Sequence, residues 1–194
     1  MGAYEIGRRH IQSCVGGTEE EWLRNKDAVR QRLDEYYKTA EPTHFRLVNS
    51  IEDCERELVS HVKQYGVTLV CVDYIQLINS NKGGLYEQTT DVSKRLKGLC
   101  RDYNVAMIAL SQLSREVEKR DKLEIHLSDL ANSGGIERDA CGIACGYWWA
   151  KSNAENAPKD AYDIFLLKRR NGPVHRNQTR IVFDGQRQQF SSKE

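Results

Sequence analysis

Apolar positions recur along the 194-residue chain in two rhythms, one helical and one extended. Residues 3–14 read as a helix. Residues 19–38 read as a second, with Trp22, Val29, Leu33 and Tyr36 at helical spacing and Thr18 followed by Glu21 as the signature of a capping box. Ile51, Cys54, Leu58, Val62 and Tyr65 fall on one stripe and predict a helix over 51–65. Val92, Leu96, Leu99 and Tyr103 predict another over 86–103, with Lys94, Arg95, Lys97 and Arg101 mostly on its other faces. Between and after these lie short apolar runs that predict strands at 67–72, 105–110, 142–149, 163–168 and 180–183.

The runs at 67–72 and 105–110 are apolar at nearly every position, which predicts strands buried on both faces, as in a parallel sheet covered by helices. The helix between them supplies a right-handed crossover. The expected class is therefore α/β with a largely parallel central sheet. Ligands in such sheets bind beyond the carboxyl ends of the strands. In VTLVCVDYIQLINS, Asp73 falls just past one such end, and Ser111 and Gln112 fall past the next. An apolar strand ending in an acid is by itself a weak signal, because such a residue often serves only as a cap or loop residue.

Charge and composition add limits. The formal net charge of +1 gives no overall pull toward nucleic acid, so a site for it must be a local patch. Charged residues make up 29% of the chain, as in ordinary globular proteins. No apolar run approaches the roughly 18 residues of a membrane span, and no secretory leader opens the chain; a cytoplasmic location is expected. The six cysteines, Cys14, Cys54, Cys71, Cys100, Cys141 and Cys145, mostly sit in apolar segments and are expected as core thiols. On a strand, Cys141 and Cys145 would lie about 13 Å apart, too far to share a zinc ion at about 2.3 Å each.

Other polar segments follow in order: ALSQLSREVEKR (109–120), the Gly-rich HLSDLANSGGIERDA (126–140), and KRRNGP (168–173) with its three consecutive cations. Together with VCVDYIQLI and VFDGQRQQF, these segments resemble the C-terminal motor domain of DnaB-type replicative DNA helicases. The likeness is strong over residues 67–190 and weaker over 1–66. It implies a RecA-like three-layer domain, incomplete on its N-terminal side, with 1–66 as a helical lead-in and 67–190 as the core from the Walker B acid to the arginine finger. It also implies a hexameric ring that unwinds duplex DNA by moving along one strand, with ATP and Mg²⁺ as cofactors.

By this resemblance Asp73 is the Walker B acid, holding Mg²⁺ through water. Gln112 is the sensor that reads the γ-phosphate. Arg170 is the finger reaching a neighbouring subunit's nucleotide, with Lys168 beside it. The loop 79–86, with Lys82, Gly83 and Gly84, and the segment 128–135, with Asn132, Ser133 and Gly134, line the DNA channel. The implied partners are single-stranded DNA, further helicase subunits, primase and a helicase loader.

Four departures stand out. Ala131 occupies the place of an arginine that grips DNA in the family; Arg169 replaces a glutamine, and Cys141 an acid. The largest is an absence: no Gly-Lys dipeptide occurs in the chain, so it has no G-x-x-x-x-G-K-S/T phosphate loop. The expectation is a helicase motor piece, inactive alone and completed by an upstream phosphate-loop segment or polypeptide. The alternatives are an ATPase-inactive binding or regulatory module derived from a helicase, or another RecA-like ATPase of recombinase or clock type.

Overall fold

A computed structural model describes residues 3–40, 42–114, 116–117, 125–130, 134–149, 158–174, 179–185 and 188–192. The helices are α1 (Ala3–Val15), α2 (Glu19–Arg24), α3 (Lys26–Thr39), α4 (Ile51–Tyr65), α5 (Leu85–Asp102) and α6 (Gly134–Asp139). The strands are β1 (Leu69–Val72), β2 (Ala106–Ala109), β3 (Gly142–Trp148), β4 (Ala161–Arg169), β5 (Thr179–Asp184) and β6 (Gln189–Ser192).

Local chemistry accounts for most boundaries. The capping box is present: Thr18 N–H donates to Glu21 Oε2 at 2.7 Å, and Glu21 N–H donates to Thr18 Oγ1 at 3.4 Å. The single helix expected over 19–38 is broken, however. At Asn25 the backbone leaves the helical region (φ −134°, ψ 57°), ending α2 and starting α3. Asparagine is a weak helix former, because its side chain competes for backbone hydrogen bonds. Ser50 Oγ accepts from Asp53 N–H at 3.1 Å to open α4, and Gly66 closes it in the left-handed conformation that glycine adopts freely.

The chain divides into two compact units. One draws on residues 1–45, 146–164 and 178–194. It contains α1 to α3 and an antiparallel region in which β4 pairs with β5 and β5 with β6. Trp148, Tyr162, Phe183 and Phe190 pack ring against ring there. The whole sheet has the order β3-β4-β5-β6.

The other unit draws on residues 46–145 and 165–177 and holds the main core. Ile51, Cys54 and Leu58 of α4 pack with Val92, Leu96 and Leu99 of α5 and with Val72, Ile75 and Ile78. Arg95 of α5 staples the two helices, its Nε and Nη2 donating to Glu55 at 2.8 and 2.6 Å and its Nη1 to Glu52 at 2.5 Å. β1 and β2 form a parallel pair, with Leu69 opposite Ala106 and Val72 opposite Ala109.

Burial of this pair on both faces does not hold. Val72 is buried and Val70 and Met107 pack on the core, but Leu69, Ile108 and Leu110 are 50–53% exposed. The helices of this unit cover one face, and no described residue buries the other. The same alternation exposes Cys71, and Cys141 is exposed ahead of β3, so the expectation of core thiols holds for Cys54 and Cys145 but not for these two. Cys100 is half-buried, and the side chain of Cys14 lies outside the described part. The Gly-rich loop expected over 126–140 also differs: it includes a short turn of 3₁₀ helix, Leu127–Asp129, and α6. Two glycines open α6 against their propensity, and packing supplies the reason. A Cβ on Gly135 would lie 2.8 Å from Thr90 Cα, so only glycine lets α6 approach α5 so closely. No described helix is long and apolar enough to cross a membrane.

Candidate functional site

Parallel register brings the residues after β1 and β2 to one end of the pair. Leu110 N–H donates to Val72 O at 2.9 Å and Ile75 N–H to Leu110 O at 3.0 Å, extending the pairing past both strands. Asp73 and Gln112 leave from this end. Asp73 is exposed, and its carboxylate makes no hydrogen bond or ion pair among the described residues. Gln76, which was not singled out from the sequence, braces the second segment. Its Nε2 donates to Ser111 Oγ at 2.8 Å, and its Oε1 accepts from Gln112 N–H at 3.5 Å. The backbone at Gln112 is therefore held while its side-chain amide stays exposed. The only sequence signal for this brace was the glutamine in DYIQL.

The segment after Gln112 is bonded to the one before α6. Leu113 bridges Leu130, and Ser114 N–H donates to Asp129 O at 2.7 Å. Asp129 is buried, and its Oδ2 accepts from His126 N–H at 2.7 Å. Ala131, Asn132 and Ser133 lie outside the described residues; Gly134 opens α6. Lys82, Gly83 and Gly84 form an exposed turn before α5, with Lys82 O accepting from Gln88 Nε2 at 3.0 Å. Tyr86 joins this turn to the segment at Gly134, where an added Cβ would lie 2.5 Å from the Tyr86 hydroxyl. The two segments that the resemblance assigns to DNA thus approach each other where Tyr86, the last residue of the first, lies against Gly134.

β4 ends in the three cations, and each behaves differently. Lys168 Nζ donates to Glu137 O of α6. Arg169 lies over Gly172, whose φ of +133° is open to glycine alone. Arg170 N–H donates to Cys141 O at 2.8 Å, while its guanidinium is exposed and has no hydrogen bond or ion pair among the described residues. No hydrogen bond or ion pair joins Lys168 or Arg170 to Asp73 or Gln112. No group of three or more His, Cys, Asp or Glu side chains fit to hold a metal occurs among the described residues.

Cys141 sits in a cationic setting. The Lys97 ammonium, 2.9 Å from Sγ, holds the thiol below the usual thiol range, with Arg170 and Lys168 adding to the effect. Burial pushes Cys145 the other way, up to about 11. In the native chain at neutral pH, iodoacetamide should therefore modify Cys141 roughly a hundredfold or more faster than Cys145. Lys97→Ala should slow the Cys141 reaction. Peptide mass spectrometry after timed labelling measures both; equal rates for the two thiols would contradict the assignment.

A parallel β-α-β pair with an acid and a glutamine at its carboxyl end is compatible with RecA-like ATPase domains, and the structural comparisons show that fold class. The whole chain superposes on half of a solved DnaB-like replicative helicase, studied with its primase interactions, at a TM-score of 0.84 and 25% identity. It also covers 72% of a solved ATPase domain at a TM-score of 0.83 and 26% identity. The model of the DnaB-like helicase C terminal domain matches residues 6–192, and the chain belongs to that family. The replicative DNA helicase DnaB of Geobacillus stearothermophilus is 37% identical over 115 residues, which are 58% of this chain and 25% of that protein. A probable plasmid replicative DNA helicase of Chlamydia trachomatis is 33% identical over 147 residues, 72% of this chain and 33% of the relative. The matches thus span about a quarter to a third of the length of these curated relatives.

Proposed function

We propose that this chain supplies part of an ATP-driven replicative helicase motor that moves along single-stranded DNA in a hexameric ring. The observation that carries the reading is the pairing of an exposed, unbonded Asp73 with the braced Gln112 at one end of β1 and β2. Asp73 suits a magnesium ion held through water, because its carboxylate is not committed to a protein donor. Bound there with ATP, Mg²⁺ would offset charge on the phosphates during phosphoryl transfer. Gln112 is suited to sense the nucleotide, and the bonds from Leu113 and Ser114 to the segment before α6 give that sensing a path to the DNA loops. Arg170, whose guanidinium has no hydrogen bond or ion pair among the described residues, is suited to act on a neighbouring subunit's nucleotide. Lys168 holds α6 in this state, which supports a positioning role for it beside the finger. Primase is proposed as a partner because a solved DnaB-like replicative helicase is described with its primase interactions, and a helicase loader is proposed from the family resemblance.

The phosphate cradle must come from residues outside these 194, since none of their glycines precedes a lysine. The exposed apolar face at Leu69, Ile108 and Leu110 is the surface such a segment would cover. The chain alone should hydrolyse ATP no faster than its Asp73→Ala variant. It should also self-associate or melt early. Adding a family phosphate-loop segment, fused or separate, should raise the melting temperature and create Mg²⁺-dependent ATPase activity stimulated by single-stranded DNA. A stable monomer that gains neither would be a binding module, and the motor reading would be abandoned.

A further inference from the structure

Tyr86 stands on the first turn of α5, 53% exposed. Its ring has no aromatic, cationic or hydrogen-bonding partner among the described residues. Yet the ring is not loose. Its hydroxyl end lies against the bare backbone of Gly134, so close that a Cβ there would sit 2.5 Å from the hydroxyl and 3.5 Å from Cζ. One end is seated, and about half of the residue is open to solvent. That is an aromatic surface with no ring partner among the described residues, held at one end by the glycine backbone.

The surroundings suit one kind of occupant. Lys82 is an exposed cation on the same turn, and the N-terminus of α5 begins at Gly84 with no side-chain cap, leaving its first amides to meet an anion. Glu87 is the opposing charge nearby, its Oε2 3.9 Å from a Cβ position on Gly83, the residue after Lys82. An aromatic face beside a cation and free amides matches the alternation of base and phosphate in a single strand.

We infer that Tyr86 is a stacking platform for an unpaired base of single-stranded nucleic acid, seated by Gly134 between the two loops. This rests on the reading of those loops as the DNA-binding edge. It adds a contact to bases where that reading provides only backbone and cation contacts. Because every base has a π face, the contact favours unstacked bases over paired ones with little sequence preference.

The test is fluorescence anisotropy with the whole chain at low salt, using a labelled oligothymidylate and an abasic oligomer of equal length. Wild type should prefer the oligothymidylate. Tyr86→Leu, which keeps the apolar bulk, should bind it roughly 5- to 150-fold more weakly and lose the preference, while binding the abasic strand as wild type does. Tyr86→Phe and Tyr86→Trp should retain it. Circular dichroism melts of all variants show whether folding is unaffected. Wild type that binds both strands with Tyr86→Leu unchanged would overturn the stacking role and leave the loop reading intact. Wild type that binds neither strand would overturn both together.

Discussion

Replacing Arg170 by alanine is expected to cut ATP turnover about 10³-fold or more in a motor completed with a phosphate-loop segment. Melting should hardly change. The guanidinium is exposed, with no hydrogen bond or ion pair among the described residues, and the contact that fixes this position is Arg170 N–H to Cys141 O, which alanine keeps. Surface substitutions away from packing typically change stability by no more than about 0.5 kcal/mol. A large kinetic loss with an unchanged melt therefore points to charge supplied to another subunit's phosphates. Mixing experiments sharpen this: Arg170→Ala subunits combined with Asp73→Ala subunits should recover some turnover wherever an intact site faces an intact finger. Arg169→Ala is the control, since that side chain lies over the Gly172 turn. If Arg169→Ala causes the loss and Arg170→Ala does not, the finger has been assigned to the wrong cation.

The largest stability effect is expected at Arg180. Asp163 of β4 is fully buried, and Arg180 stands opposite it on β5. The guanidinium grips the carboxylate twice, Nε to Oδ1 at 2.7 Å and Nη2 to Oδ2 at 2.8 Å, while Trp149 Nε1 donates to Oδ2 at 2.5 Å. The pair is asymmetric, because the Arg180 side chain is 39% exposed and can turn to water. Arg180→Met removes the facing charge and two hydrogen bonds from a buried carboxylate and should cost about 3–5 kcal/mol. Asp163→Asn frees a cation that solvent can receive, and should cost less.

The pH dependence follows from the same geometry. Arg180 chiefly, with Trp149, holds the Asp163 carboxyl below its ordinary value of 3.8, against burial that pushes it up. A group depressed in the folded state contributes stability above its unfolded pKa, and that contribution is lost as pH falls through the folded one. In wild type the loss should thus come in the acid range below 3.8. Without Arg180, burial should raise the folded pKa instead, so the deficit of Arg180→Met should shrink on acidification. Urea titrations of the three proteins across that range measure this, and a deficit independent of pH would show that the arginine acts through packing alone.

Much of the chain was legible from local rules. Helical stripes and caps are properties of neighbouring residues, so the Thr18–Glu21 box and the apolar stripe of α4 declare themselves without tertiary contacts. The parallel pair and the position of Asp73 were readable because an apolar run separated by a helix from another has few topologies open to it. The order of short polar motifs carried the family.

Other features needed the fold. Gly134 and Gly135 read as a loop by propensity, yet both lie in α6, where Thr90, distant in sequence, is too close to Gly135 for any side chain. Leu69 and Ile108 read as buried, but burial depends on which elements reach a face, and the helices of this unit reach one. Asp163 and Arg180 looked unrelated until strand register set them opposite. Tyr86 looked like any tyrosine at a helix start until Gly134 seated its ring. The sequence by itself determined the elements, the class and the motif order, because these follow from spacing along the chain. Which face stays open, which charges pair and which ring is held ready were decided only by tertiary structure, because each depends on a partner that spacing does not specify.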